Sequence, residues 1–201
     1  MANVTPIKKL LVANRGEIAR RIMRTAHDMG ISTVAIFAEG DARAPFVHEA
    51  DTAISLEGRT SAETYLDVEK VINACKRSGA DAVHPGYGFL SENENFAQAI
   101  IDAGIKWIGP SPNVIGLMGD KLSAKNLMQE AGVPTLPAIE IQDNTDIKKS
   151  AKEIGYPVLV KASAGGGGRG MRVVEKESDL ESAVEGAKRE AGNSFGDDTV
   201  F

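Results

Sequence analysis

Residues 10–37 read LLVANRGEIARRIMRTAHDMGISTVAIF, and this stretch decides the fold of the first half of the chain. Its apolar ends, residues 10–13 and 34–37, predict two short buried strands. The segment between them has helical spacing, with apolar residues at Ile18, Ile22, Ala26 and Met29. Gly30 follows as a predicted C-terminal cap. A strand, a helix and a second strand in this order predict a βαβ unit with parallel strands.

The same alternation continues to about residue 118. Another predicted helix ends at Gly79 and has an apolar face of Val68, Val71, Ile72 and Cys75. Residues 82–84 and 106–108 predict two more strands. The helix between these strands is predicted to start with a capping box of Ser91 and Glu94. Strands that alternate with helices indicate an α/β domain of the doubly wound type.

The second half of the chain predicts a smaller unit after a connector at residues 133–137. Thr145 is the predicted cap of one short helix, and a capping box of Ser178 and Glu181 is predicted to open another. Strands are predicted at 158–160 and 173–174, and the start of a further strand at 199–201.

Composition excludes several classes of protein. The 201 residues include 23 Lys and Arg against 28 Asp and Glu, which gives a net charge of −5 and argues against nucleic-acid binding. No apolar run reaches the roughly 18 residues of a membrane span. The single cysteine, Cys75, excludes an intrachain disulfide and a cysteine-cluster zinc site. These features predict a cytoplasmic protein with no metal site of its own.

The strongest local motif is KASAGGGGRGM at residues 161–171. Glycine backbone can approach an anion closely, and consecutive N–H groups can form a nest for a phosphate. The motif is not a Walker A loop, because no Lys-Ser or Lys-Thr follows and the exit resembles a strand. A flap between two strands that covers phosphates, with Lys161 at its edge, is favoured over a flexible linker.

Three other segments are candidates for a site, each with a plain structural alternative. The turn at residues 12–18 has one glycine rather than the three of a dinucleotide fingerprint, so it is interpreted as structural or as a pocket edge. The string HPGYGFLSEN at 84–93 leaves a strand at its carboxyl end, where open α/β sheets bind ligands. Lys121 is predicted at a helix start, where the helix dipole disfavours a cation. It is interpreted either as a residue that binds an anion together with that helix end or as a solvated surface lysine.

Taken together, these segments resemble the biotin carboxylases, the ATP-grasp components of acyl-CoA and pyruvate carboxylases. The resemblance covers about residues 8–201, with the string at 84–93 as its most specific part. The finer resemblance is to the biotin carboxylase subunits of acetyl-CoA and propionyl-CoA carboxylases. The segments occur in the family's order and are LVANRGEIA (11–19), HPGYGFLSEN (84–93), WIGP (107–110), MGDK (118–121) and the glycine motif.

The resemblance implies a reaction and a set of residues. ATP would phosphorylate bicarbonate, and the resulting carboxyphosphate would deliver CO2 to a biotin nitrogen. Tyr87 and Gly88 match positions beside the biotin ring. The positions that match ATP-binding residues are Lys121, Lys161, Gly165, Gly166, Gly167, Gly168 and Gly170.

The resemblance also implies domains and partners. Residues 1–118 would form a Rossmann-like, pre-ATP-grasp domain, and residues 119–201 the beginning of an ATP-grasp domain whose glycine-rich lid starts at about residue 136. Partners would be a biotin carboxyl carrier protein or domain, a carboxyltransferase subunit and a second copy of the chain. The first helix, through Arg21 and Arg24, resembles the family's dimer interface.

One departure limits what the chain is expected to do alone. The family's catalytic domain is longer, so catalytic residues and the ligands of Mg2+ are expected beyond Phe201, and the 201 residues alone are expected not to carboxylate biotin.

Two other functions stay open. Another ATP-grasp ligase would share the lysines and the glycine motif but should lack the string at 84–93. A non-catalytic binding or dimerising fragment would be distinguished by ATP titration and an ATP-cleavage assay.

Overall fold

The computed structural model of the chain describes residues 5–119, 121–142, 144–163 and 171–201, without the side chains at 121, 122 and 195. The chain divides into two units, Met1–Gly116 and Leu117–Phe201.

The first unit is built on a sheet of five parallel strands, which confirms the predicted α/β class. The strands are β1 (Lys9–Val12), β2 (Ser32–Phe37), β3 (Thr52–Ser55), β4 (Ala82–His84) and β5 (Lys106–Trp107). Their spatial order is β3-β2-β1-β4-β5, and Leu11 of β1 is aligned with Val34 of β2 and Val83 of β4. Only β3 is absent from the sequence-based prediction, because its residues are half-buried or exposed and form no apolar run.

Helices cover both faces of this sheet, since successive strand residues point to opposite sides. Leu11, Val34 and Val83 belong to a core with Phe96 and Val71 on one face. Leu10, Val12, Ala35 and Ala82 belong to a second core with Met23 and Phe46 on the other face. The helices are α1 (Gly16–Asp28), α2 (Pro45–Glu49), α3 (Val68–Ser78) and α4 (Glu94–Asp102), with α5 (Pro112–Gly119) following β5.

Within its described residues, the second unit has three α-helices and a small antiparallel sheet. They are α6 (Lys121–Glu130), α7 (Ile147–Ile154), β6 (Val158–Val160), β7 (Arg172–Val174) and α8 (Leu180–Phe195). The end of the chain adds a third antiparallel segment, because Ala162 forms a bridge with Val200 as the pattern at 199–201 predicts. Val158, Val160 and Val200 are buried against α7 and α8. No helix among the described ranges is long and apolar enough to span a membrane.

Three predicted helix caps are wrong. Asn93, not Ser91, caps α4 and accepts a hydrogen bond from the N–H of Phe96. Asp146, not Thr145, caps α7 through the N–H of Lys149. The start of α8 has no side-chain cap, because a 3-10 turn over Glu177–Asp179 precedes it.

The predicted apolar face of α1 is also partly wrong. Met29 ends the helix and is 69% exposed, whereas Ala19 and Met23 take the buried positions beside Ala26. Apolar spacing alone did not show at which turn the helix leaves the sheet.

Candidate functional site

The parallel strands of the first unit have their carboxyl ends at one edge of the sheet. At this edge, Asn14 connects the turn after β1 to the turn after β4 by hydrogen bonds. Asn14 comes directly after β1 and is 1% exposed. Its Nδ2 donates to the carbonyl oxygens of Pro85 and Tyr87 at 2.8 and 2.9 Å, and its Oδ1 accepts from the N–H of Arg15 at 2.9 Å. Because a buried amide without partners is costly, these bonds fix the β1–α1 turn against the turn after β4. The structural interpretation of the β1–α1 turn agrees with this geometry.

Gly86 permits the close approach of these two turns. Its φ is +68°, and a Cβ there would lie 2.8 Å from Nδ2 of Asn14 and 2.7 Å from Cγ2 of Ile18. At Gly88, φ is +70° but a Cβ would meet nothing within 4 Å. Position 86 therefore needs glycine for space and conformation, and position 88 for conformation alone.

Tyr87 lies between these glycines and is 61% exposed at the carboxyl edge of the sheet. Its hydroxyl donates to Oε1 of Glu17 at 2.5 Å. This hydrogen bond raises the pKa of Tyr87, so the side chain stays a neutral phenol at physiological pH. Glu17 lies in the first turn of α1, so the two turns joined by Asn14 also position the Tyr87 ring. The sequence interpretation of the turn at residues 12–18 did not predict this contact of Glu17.

A second network supports the other side of the 84–93 segment. The hydroxyl of Tyr65 donates to Oδ2 of Asp41 at 2.6 Å and accepts from the N–H of Ala38 at 3.1 Å. Arg15 forms a bidentate pair with Asp41, and its hydrogen bond is the main reason why the pKa of Asp41 is lowered. The Tyr65 ring stacks on Phe89 with centroids 5.1 Å apart. Phe89 has φ +46°, uncommon for a residue with a side chain, so this stacking holds a strained turn.

His84 is half-buried at the end of β4, and its role in the turn is structural. Its Nδ1 accepts a hydrogen bond from the N–H of Gly86 at 2.9 Å, which requires the proton of a neutral ring to be on Nε2. Burial lowers the pKa of His84 and favours this neutral form.

In the second unit, Lys161 directly follows β6, the middle one of three antiparallel segments. Its N–H donates to the carbonyl oxygen of Phe201, and its carbonyl oxygen accepts from the N–H of Phe201, both at 2.9 Å. Burial alternates along the strand, since Val158 and Val160 face the helices while Leu159 does not. Leu159 and Lys161 therefore share the face of the small sheet that α7 and α8 leave uncovered.

That uncovered face is apolar as well as basic. Leu159 pairs with Val173 across the strands, and the two side chains are 41% and 68% exposed. Met171, just before β7, is exposed too. Exposed apolar side chains that cluster around a lysine are typical of a surface that a partly apolar, anionic ligand covers.

A cavity of about 160 Å3 in the same unit is lined by Leu159 and Lys161 together with Lys125 of α6. Its other lining residues are mostly apolar, and no acidic side chain lines it within the described part of the chain. Burial and the nearby charge of Lys161 lower the pKa of Lys125. The sequence interpretation missed Lys125, because one lysine within a helix is most often a solvated surface residue.

Arg21 and Arg24 lie three residues apart on the exposed side of α1, and both line an open depression with Glu17 and Asp28. Arg20, next to them, is bound to Glu49 at 2.6 Å. Among the described residues, no carboxylate lies within ion-pair distance of Arg21 or Arg24.

Part of the predicted phosphate site lies outside the described residues. This applies to Gly165, Gly166, Gly167, Gly168 and Gly170, and to the side chain of Lys121, whose backbone begins α6. Within the described ranges, no group of three or more His, Cys, Asp or Glu side chains could hold a metal ion.

Comparison with known families assigns both halves of the chain. Residues 6–115 match the family described as the N-terminal domain of biotin carboxylase. Residues 120–201 match the family described as the ATP-binding domain of the carbamoyl-phosphate synthase L chain.

Individual relatives agree with these matches. The chain is 51% identical to the mitochondrial methylcrotonoyl-CoA carboxylase subunit alpha of Dictyostelium discoideum, over 98% of this chain and 29% of that protein. It is 47% identical to the biotin carboxylase of Halalkalibacterium halodurans, over 96% of this chain and 43% of that enzyme.

A solved structure agrees as well. It is the biotin carboxylase domain dimer of Hydrogenobacter thermophilus 2-oxoglutarate carboxylase, bound to MgADP, ADP and bicarbonate. The TM-score is 0.89 and the sequence identity is 48%. The match covers 98% of this chain and 44% of that chain. The chain thus spans less than half the length of these relatives. The fold, the motif at 84–93 and a match over more than half of its length show that the chain belongs to the biotin carboxylase family.

Proposed function

We propose that the chain forms the N-terminal portion of a biotin carboxylase, which uses ATP and bicarbonate to carboxylate biotin on a carrier protein. The observation that carries this proposal is the order of the two family matches, with the biotin carboxylase domain at 6–115 followed by an ATP-binding domain at 120–201. In this proposal residues 1–118 are the N-terminal domain, and residues 119–201 begin the ATP-grasp domain with a lid from about residue 136.

The nucleotide is proposed to bind on the second unit. Lys161 is held by the strand ladder on the uncovered face of the small sheet, where its ammonium group can contact a phosphate. Leu159 and Val173 offer an apolar surface of the kind that a purine base covers. Lys121 and the glycines at 165–168 and 170 complete the proposed phosphate site by the family match. In the proposed reaction, ATP supplies the phosphoryl group that activates bicarbonate and binds together with Mg2+.

Biotin is proposed to lie against Tyr87 and Gly88. The neutral phenol of Tyr87 is held by Glu17 and is exposed at the sheet edge, so it can orient a flat ring without contributing charge. Gly88 has no neighbour within 4 Å of where a Cβ would lie, which leaves room for a ligand to approach the backbone. The task of these residues is to position the biotin ring.

The partners proposed are those of the family. They are a biotin carboxyl carrier protein or domain, a carboxyltransferase subunit that selects the acyl-CoA, and a second copy of the chain. Arg21 and Arg24 are proposed to contribute to the dimer, because no described carboxylate of their own chain pairs with them and Asp28 lines the same depression. If two copies of this surface met across a two-fold axis, the arginines of one copy could lie opposite the carboxylates of the other. The proposed compartment is the cytoplasm.

A chimera tests this function directly. Residues 1–201 would replace the matching segment of the Halalkalibacterium halodurans biotin carboxylase, and bicarbonate-dependent ATP cleavage would be measured with and without free biotin. We expect biotin-stimulated cleavage, and we expect Lys161→Ala in the same chimera to lose most of it. A chimera that folds and binds ATP but cleaves none would contradict the proposal.

A further inference from the structure

Lys125 is placed where a second cation of the phosphate site would be. It lies in α6 and lines the same cavity of about 160 Å3 as Lys161 and Leu159. The remaining lining includes Leu136, Ile139 and other apolar side chains, and none of the described lining residues is acidic. A half-buried ammonium group in such surroundings has lost part of its hydration without gaining a carboxylate.

The charge of Lys161 adds to this cost. Two ammonium groups at one cavity repel each other, and the pKa of Lys125 is lowered by burial first and by Lys161 second. Among the described residues, neither side chain has an ion pair, whereas Lys148 and Lys152 of the same unit are bound to Glu181 and Glu177. Two lysines that line one cavity without a carboxylate are stabilised by an anion that binds both of them.

A second lysine position of α6 lies one turn before Lys125. Position 121 starts α6, and position 125 follows one turn later, so the two positions lie on one face of the helix. Like charges four residues apart destabilise an isolated helix. A ligand with several negative charges would offset the repulsion between Lys125 and Lys161 better than a single carboxylate.

We propose that Lys125 is a phosphate-binding residue whose ammonium group contacts the polyphosphate of a nucleoside triphosphate beside Lys161. This inference rests on the proposed ATP site of the second unit and adds one residue to it. Lys125 acts in affinity for the phosphates, not for the base.

The variant Lys125→Met keeps the length and apolar stem of the side chain and removes its charge. Titration of the 201-residue chain with ATP should show about tenfold weaker binding for Lys125→Met, the scale of one charge-assisted hydrogen bond. Binding of adenosine, which has no phosphate, should change less than about twofold on the same grounds. Lys125→Arg should retain most of the ATP affinity. Lys149→Met is the matched control, since Lys149 is exposed on α7 of the same unit, and it should bind ATP like the wild type.

A second measurement needs no variant. Lysine acetylation of the wild-type chain, read by mass spectrometry, should be slowed at Lys125 by ATP and by tripolyphosphate but not by adenosine. Lys149 should be acetylated at the same rate throughout.

The outcomes separate this inference from the proposed function. If the wild type binds ATP and Lys125→Met binds it equally well, or if Lys125 is acetylated at the same rate with tripolyphosphate, the inference is wrong and the ATP site stands. Equal losses for ATP and adenosine would also overturn it, because Lys125 would then serve the base or the packing of the cavity. If the wild-type chain binds no ATP, the proposed ATP site of the second unit and this inference both fail, whereas the proposed function is judged by ATP cleavage in the chimera.

Discussion

Gly86 is the residue at which the geometry of the first unit is most demanding. An alanine there would need φ near +68° and would bring its Cβ within 2.8 Å of Asn14. Gly88→Ala is the matched control, because it has the same type of conformation without the clash. We expect Gly88→Ala to lower the free energy of unfolding by about 1–2 kcal/mol, the cost of the left-handed conformation. Gly86→Ala should cost about 1–3 kcal/mol more, the usual penalty of overpacking.

The single tryptophan makes this comparison specific to the first unit. Trp107 lies in β5, packs edge-on against Phe96 and is the only tryptophan of the chain. Its fluorescence during urea unfolding therefore reports the unit that contains both glycines. If Gly86→Ala and Gly88→Ala lost the same unfolding free energy, Asn14 and Ile18 would not restrict the side chain at position 86.

His84 gives a prediction for pH. Burial lowers its pKa in the folded chain, so the unfolded chain takes up the proton first as the pH falls below about 6.5. The contribution of His84 to stability is therefore complete above that pH and is lost as the pH falls towards the folded pKa. In His84→Asn the Oδ1 can still accept from the N–H of Gly86, but the side chain does not titrate.

The measurement compares urea unfolding of the wild type and His84→Asn by Trp107 fluorescence between pH 8 and pH 5. The other two histidines are present in both proteins, so their titration cancels in the difference. The wild type should lose stability more steeply than the variant below about pH 6.5. Parallel curves would contradict the neutral, buried state of His84.

Lys161 is the residue of the second unit on which the proposed ATP site depends most. Lys161→Ala should weaken ATP binding by about 1.5–3 kcal/mol, the range of a hydrogen bond to a charged group. Isothermal titration of the 201-residue chain measures this directly, with Lys149→Ala as the exposed control. ATP affinity that is unchanged in Lys161→Ala would remove this lysine from the site.

At the scale of elements, the N-terminal cap of α4 is a point at which structure and sequence prediction disagree. The structure has Asn93 as the cap, whereas the sequence predicts Ser91. Asn93→Ala removes the side chain that accepts from Phe96 and should cost about 1 kcal/mol of unfolding free energy. Ser91→Ala is the control and should stay within about 0.5 kcal/mol of the wild type. Trp107 fluorescence in urea measures both, because Phe96 and Trp107 pack together. If Ser91→Ala lost more unfolding free energy than Asn93→Ala, Ser91 would be the cap, as the sequence predicts.

The strands and helices of this fold were mostly predictable, and the reason is periodicity. Runs such as residues 10–13 and 34–37 mark buried parallel strands, and glycine after a periodic segment marks a helix end. Caps were less predictable, because Ser91 and Asn93 are both good capping residues and only the structure shows that Asn93 accepts from the N–H of Phe96. Met29 fits the helical period but lies beyond the point where α1 leaves the sheet.

The candidate site was predictable where it is local in sequence and not where it is built from distant segments. The string at 84–93 pointed to Tyr87 and Gly88 at the sheet edge. The partners Asn14, Glu17 and Tyr65 lie far from it along the chain, and no local pattern links them. Lys125 was missed for the same reason, since its neighbour Lys161 is 36 residues away and only the folded unit brings them to one cavity.

At the scale of the whole molecule, the two units are proposed to bind different ligands. The first unit has a five-stranded parallel sheet, and Asn14 and Glu17 position Tyr87 at its carboxyl edge. The second unit has a small sheet with Lys161 on an apolar, uncovered face. The central claim is that ATP binds to this second unit, and each unit can be observed separately because each has its own core.

The most direct test is a map of backbone amide chemical shifts of the 15N-labelled chain during titration with ATP. We expect the largest saturable changes along Leu159–Lys161 and at Val173, with the amides of Tyr87 and Gly88 little affected. Saturable changes centred on Tyr87 and Gly88, or no saturable change at millimolar ATP, would contradict the claim.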